Sequence, residues 1–379
     1  MSATHFGDAR APSVVVVDLA ARNGLGVDPA TTWAFWRAEL LGHHPSPFRD
    51  DRGERLTMVL QRHLPPRLTG VARLAQTLRE TLLPLGASLD ALGGRTGVIL
   101  GVAERFHDPH TPALRAQRDA LSQCLDGWCA ERPQTASLGL VAEGHAGFAA
   151  AAARAGEALI DGALDVAVVA GVDSYHDADV VQGLLRSERV FDGKNLDSMT
   201  PGEGCAALVL TRPHDAKRAG LAALAVLESV GRGEEPGPMV SDRHVTGEGL
   251  TEAIDALATR AAALGEPLGW ILGDLTNESY RSREHALAFP RAFAPGGLDD
   301  GDASARRRVL DDLRADWLPL RFGDLGAATM PTAAVLATES FLRGDPGARR
   351  CLLLGTSTVM ARGAALLAAP RTDAHSLRR

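Results

Sequence analysis

Short aliphatic, β-branched runs alternate with long Ala- and Leu-rich stretches of helical period along this chain, the pattern of a layered α/β fold. The runs predict strands over Ser13–Leu19, Gly97–Val102, Ser137–Ala142, Asp165–Gly171 and Cys205–Leu210. Further runs predict strands over Ala222–Val230, Gly269–Asp274, Arg350–Ser357 and Gly363–Ala368. The periodic stretches predict helices over Pro29–Leu41, Arg67–Leu83, Ala113–Ala130, His145–Asp161, Gly249–Leu264 and Leu325–Arg343. Gly, Pro and Asp mark Glu234–Gly247 and Pro295–Ala303 as surface loops, and the tail after Pro370 is expected to fray. From Ala146 to Ala153 every residue except Phe148 is Ala or Gly. A helix with no wet side over two turns is buried between layers.

The same order of features occurs twice. Gly144-His145-Ala146-Gly147 leads into an Ala-rich helix ending at Asp161-Gly162, then the strand Val166–Ala170, then Gly204-Cys205-Ala206-Ala207-Leu208. Gly323-Asp324-Leu325-Gly326 leads into a helix ending at Arg343-Gly344, then Cys351–Leu354, then Gly363-Ala364-Ala365-Leu366-Leu367. So long a period describes two related halves packed together, expected at 1–220 and 221–370, with 371–379 as a disordered tail. Pro331 either kinks the second helix early or marks its true start, leaving Gly326–Met330 irregular.

Composition narrows the function. The 379 residues carry a net charge of −7, with no Lys/Arg stripe interleaved with aromatics, which argues against a nucleic-acid partner. Four cysteines are too few for a disulfide scaffold, and Cys124 and Cys129 have no second pair to complete a zinc site. Val14–Val17 is too short to cross a membrane, no cleavable signal is seen, and a cytoplasmic location is expected. No phosphate loop, metal cluster or cofactor motif is found, so no cofactor is expected.

Over Gly144–Gly220 five elements fall in a telling order. They are the Ala-rich helix closing at Ile160-Asp161-Gly162, then Asp165-Val166-Ala167-Val168-Val169-Ala170-Gly171, Arg189-Val190-Phe191-Asp192, Pro201-Gly202-Glu203-Gly204-Cys205-Ala206-Ala207, and Arg212-Pro213-His214-Asp215-Ala216. This order resembles the β-ketoacyl-acyl-carrier-protein synthases of the thiolase superfamily. Asn23-Gly24-Leu25-Gly26, Trp36-Arg37 and Gly323-Asp324-Leu325-Gly326-Ala327-Ala328 add looser support. The resemblance implies a thiolase fold, five layers α-β-α-β-α built from two pseudo-repeated halves. It also implies a dimer formed by edge pairing of the strand Ser137–Ala142.

The resemblance further implies a Cys nucleophile at the tip of the first buried helix, assisted by two His side chains. Cysteine suits that place because a helix N-terminus lowers its pKa. Here the Cys position falls on His145, the first His on Asp274 or nearby, and the second on Asp324; all three read as replaced. Asn277, Glu278, Thr356 and Ser357 are the candidate substrate-binding positions, and the stretch Gly355–Gly363 lacks the gating Phe of the family. At a helix N-terminus the macrodipole is expected to keep His145 neutral. A neutral His145 beside Asp324 reads either as an oriented base or as a buried hydrogen bond. Tyr280, Arg281 and Glu284, with Asn277-Glu278, read as an exposed ion-pair face, or as side chains filling the vacated site beside Asp274. Asp173-Ser174-Tyr175-His176-Asp177 reads as structural, and Cys205 and Cys351 as inert core residues.

Three functions follow. The first is a non-condensing homologue that resembles chain-length-factor subunits, binding an acyl chain, an acyl carrier protein or a related synthase as homodimer or heterodimer. The second is a divergent acyltransferase or hydrolase using His145 and Asp324. The third is a structural adaptor of a bacterial accessory or secretion cluster.

Overall fold

The computed structural model describes residues 4–8, 11–108, 110–263, 268–293, 313–345 and 349–370. Its main sheet has eleven strands, two five-stranded leaves and the short strand Thr4–His5, which pairs with Ser229 and Val230 of the second leaf. The first leaf contains β1 (Val15–Asn23), β2 (Thr96–Gly101), β3 (Thr135–Val141), β4 (Val166–Ser174) and β5 (Glu203–Thr211). They run in the order β3-β2-β4-β5-β1, parallel across the first three and antiparallel thereafter. The second leaf contains β6 (Ala225–Glu234), β7 (Trp270–Gly273), β8 (Arg314–Trp317), β9 (Arg350–Thr356) and β10 (Ala361–Ala368). Its order β8-β7-β9-β10-β6 repeats the first leaf strand for strand, with the same parallel and antiparallel joins. The leaves meet where β6 pairs with β1, through Ala225 with Val16 and Val226 with Val15.

The helices that fix this layering are α1 (Pro29–Arg37), α2 (Gly70–Leu82), α3 (Pro112–Ala130), α4 (Gly147–Ile160), α5 (Glu248–Ala263), α6 (Ser279–Phe293) and α7 (Thr329–Leu342). Helices α4 and α7 lie between the leaves and touch strands of both, while α2 and α3 cover the outside of one leaf and α5 and α6 the other. Strand alternation divides the core accordingly. In β5, Ala206, Leu208 and Leu210 enter the central layer, whereas Cys205, Ala207 and Val209 face α2 and α3. In the second leaf Leu353, Ala365 and Leu367 face inward, and Leu352, Ala364 and Leu366 face outward. The five layers follow from that pattern.

Both central helices start alike. A 3₁₀ turn, Gly144–Ala146 before α4 and Gly326–Ala328 before α7, bends the chain into each helix. Its first glycine is left-handed in both, φ 50° at Gly144 and 53° at Gly326. The repeat read from the sequence, matching Gly144 with Gly323, is thus three residues out of register. Helix α7 begins at Thr329 with Pro331 in its first turn, where a missing N–H leaves no bond unmade.

Other expectations need correcting. The stretch Glu234–Gly247 is not simply a surface loop: Glu235, Gly237 and Pro238 are buried, and Glu235 Oε1 accepts from the Thr246 N–H at 2.7 Å. A hairpin of His44–Arg49 and Arg55–Met58 and a helix over Ala178–Arg186 were not legible as elements. Pro295–Ala303 and the tail after Pro370 lie outside the described residues. Strand β3 is an edge of its leaf, with Leu138 exposed. Among the described residues no helix is long and apolar enough to cross a membrane.

Candidate functional site

The left-handed turn at Gly144 places His145 at the head of α4, only 1% exposed. Gly323, the cap after the short helix Pro319–Phe322, swings Asp324 toward it, and Asp324 is also fully buried. His145 Nε2 donates to Asp324 Oδ1 at 2.7 Å, while Nδ1 faces Glu104 Oε1 at 3.6 Å, too long for a hydrogen bond but close enough for ionic attraction. Glu104 is fixed by Ser357 Oγ at 2.8 Å and the Thr358 N–H at 3.0 Å. A side chain at Gly144 would collide with that carboxylate, its Cβ falling 2.0 Å from Glu104 Cδ.

Arg281 closes the cluster. It is 1% exposed, and its Nη1 donates to Asp274 Oδ2 and to the Thr356 carbonyl, both at 2.7 Å. Its Nη2 lies 3.7 Å from Asp324 Oδ2 and 3.4 Å from His145 Nε2, so Asp324 holds two cations. Asp274 Oδ2 also accepts from Thr356 N–H (2.6 Å) and Oγ1 (2.9 Å). Glu278 ties Arg281 Nε (3.3 Å) to Arg189 Nε (2.7 Å). Tyr175 donates its hydroxyl to Asp324 Oδ1 at 3.2 Å, as does the Gly326 N–H at 2.8 Å.

The charges settle each other. Burial lowers the His145 pKa, and Arg281 opposes its charge, but Asp324 and Glu104 outweigh both and raise it to about 10. Burial alone would push the Asp324 and Glu104 carboxyls up; His145 holds both well below the usual carboxylate range, with Arg281 adding to the effect at Asp324. Against the expectation of a neutral His145, the two carboxylates oppose the helix dipole and favour a protonated ring at this helix head. The exposed reading of the Arg281 cluster is corrected too, because Arg281 and Glu284 are buried, with Glu284 paired to Arg362 Nε. Tyr280 bridges the Arg362 guanidinium (3.0 Å) and the Gly237 carbonyl (2.7 Å).

The structure thus brings together His145, Asp324, Asp274, Glu278, Thr356 and, through Glu104, Ser357. Asn277 stands apart. It lines a neighbouring cleft of roughly 210 Å³ with Thr276, Phe191, Thr200 and Pro319, and His145 is not part of that lining. Sequence reasoning missed Glu104 and gave Tyr175 no part in the cluster. Asp173, beside Tyr175, pairs with Arg105 Nη2 at 3.1 Å and accepts the Ala327 N–H at 3.2 Å. Cys205 and Cys351 are buried in β5 and β9, and burial pushes Cys205 to about 12 and Cys351 well above its ordinary value. Among the described residues no group of three or more His, Cys, Asp or Glu is placed to hold a metal.

Comparison with known proteins adds the fold's relatives. No protein-family profile and no curated protein matches the chain. Among solved structures, a ketosynthase domain of Streptomyces albus oxazolomycin synthesis matches with TM-score 0.70 and 17% identity, over 96% of this chain and 76% of the other. A type II polyketide ketosynthase in complex with its acyl-carrier protein matches with TM-score 0.73 and 14% identity, over 95% and 100%. The ishigamide ketosynthase/chain length factor matches with TM-score 0.66 and 16% identity, again over 95% and 100%. At these identities the likeness speaks for architecture alone: this chain has the mixed α/β fold of the ketosynthases.

Proposed function

We propose that this chain is a non-condensing ketosynthase relative, acting as a partner or scaffold subunit in the manner of a chain length factor. One observation carries the reading: at the head of α4, where the resemblance puts a nucleophilic Cys, His145 is held between Asp324 and Glu104 with Arg281 packed against it, a setting that favours the imidazolium. A nucleophile or general base needs a free lone pair, and an imidazolium has none. The same geometry speaks against a hydrolase built on His145 and Asp324. A partner role draws support from the exposed edge strand β3, which can add to the matching strand of a second copy or of a related synthase. An acyl carrier protein is the further partner class to test.

The decisive measurement is intact-mass analysis after incubation with acyl- and malonyl-thioesters, alongside a decarboxylation assay. No acyl adduct and no decarboxylation above a His145→Ala control are expected. An adduct on His145, or decarboxylation that the substitution abolishes, overturns the reading.

A further inference from the structure

We propose that a second pocket, between the His44–Met58 hairpin and the approach to α2, binds an organic phosphate whose body carries N–H or O–H donors. The pocket encloses roughly 390 Å³, within the range of small-ligand sites, and shares no lining residue with the cleft at Asn277 or the cluster at His145.

Its charge is the first argument. The chain as a whole is acidic at −7, yet the charged residues lining this pocket are Arg55, Arg62 and Arg73, and no carboxylate lines it. Arg73 is neutralised by Glu203, through Nε to Oε2 at 2.6 Å and Nη2 to Oε1 at 2.6 Å. Arg55 and Arg62 are exposed and, among the described residues, have no ion-pair partner. Two unpaired guanidiniums on the lining can receive an anion, since each presents a planar fork matched to phosphate oxygens.

The walls and floor are the second argument. Pro45, Pro47 and Pro66 line the sides, and their fixed φ makes a surface that needs little ordering on binding. Gln61 and His176, each 1% exposed, also line the pocket, and both carry a buried acceptor without a partner. His176 Nε2 donates to the Pro66 carbonyl at 2.7 Å, which leaves Nδ1 as the free acceptor, and burial lowers its pKa so that the ring stays neutral. Gln61 Nε2 donates to Thr77 Oγ1 at 3.0 Å, leaving Oε1 free. Buried acceptors without donors are costly, and a ligand N–H or O–H reaching them by a small side-chain shift would repair both. A ligand with phosphate at one end and such donors at the other meets all these features, as a sugar phosphate or nucleoside monophosphate does.

Isothermal titration of the intact chain with AMP, ribose 5-phosphate and inorganic phosphate tests this. AMP or ribose 5-phosphate is expected to bind at least about tenfold more tightly than inorganic phosphate. Arg55→Ala and Arg62→Ala are each expected to weaken that binding about tenfold. Both side chains are exposed, so thermal unfolding of the variants should match the parent and a lost signal reports the site rather than the fold. Binding of neither organic phosphate, organic phosphates no tighter than inorganic phosphate, or unchanged affinity in the Arg55→Ala/Arg62→Ala double variant would each overturn the proposal.

Discussion

The heads of α4 and α7 are built on one plan and differ in what they carry. Each begins with a left-handed glycine pressed against a carboxylate, Glu104 at Gly144 and Asp173 at Gly326, and each leads into a helix buried between the leaves. Behind the first glycine stands His145; behind the second stands Ala327. The backbone device therefore belongs to the scaffold. Chemistry is added by single residues, and at α4 the added residue is locked by countercharges rather than left free to react.

The largest effect expected at these heads comes from breaking that lock. Arg281→Ala strands Asp274 without its buried cation, takes one of Asp324's two, and should cost about 3–5 kcal/mol, read from urea unfolding. A cost under about 1 kcal/mol would mean the network does not hold the two heads together. Next, Gly144→Ala and Gly326→Ala should each cost about 2–3 kcal/mol from strained backbone and displaced carboxylate. Of these two, Gly144→Ala alone should also change the pH profile, because it moves Glu104 off His145.

The smallest and most discriminating effect is that pH profile itself. The folded His145 pKa of about 10 lies above its ordinary 6.5, so its stabilisation is complete below about pH 6.5 and fades as the pH climbs toward 10. Asp324 and Glu104 are depressed from 3.8 and 4.5, so their share is present above those values and is lost as the pH falls below them. The stability difference between the parent and His145→Gln should therefore peak between about pH 5 and 6.5 and shrink on both sides. A difference flat from pH 5 to 10 would mean the imidazole is neutral in the folded chain.

Much of the fold was legible because strands buried on both faces read as unbroken aliphatic runs, as at Val166–Ala170, and because Ala146–Ala153 offers no polar face. The hairpin at His44–Met58 was not, since Pro45 and Pro47 argue against a strand; a two-stranded ribbon off the main sheet tolerates them. At the site, His145 and Asp324 were brought together by the family resemblance, which put both at catalytic positions, rather than by the helix repeat, whose true register sets His145 against Ala327. Arg281 looked like one half of an exposed helix pair, because i,i+3 spacing to Glu278 and Glu284 is the same for a wet helix face as for a buried one. Glu104 left no local trace at all. Its reason for being there is a glycine 40 residues on, Gly144, which lacks the side chain that would displace it.

The narrow seam between the leaves has a consequence for how the molecule comes apart. The β1–β6 ladder is two residue pairs, supplemented by Thr4–His5 pairing with β6, so much of the contact between the leaves runs through α4 and α7, each contributed by one half of the chain and touching strands of both. A protease nick at the exposed turn around Gly220 would leave two fragments clasped through their interleaved helices. Such a nicked molecule should migrate as one particle until denatured, yet resist reconstitution from the purified pieces, because neither fragment alone can keep its Ala-rich helix dry.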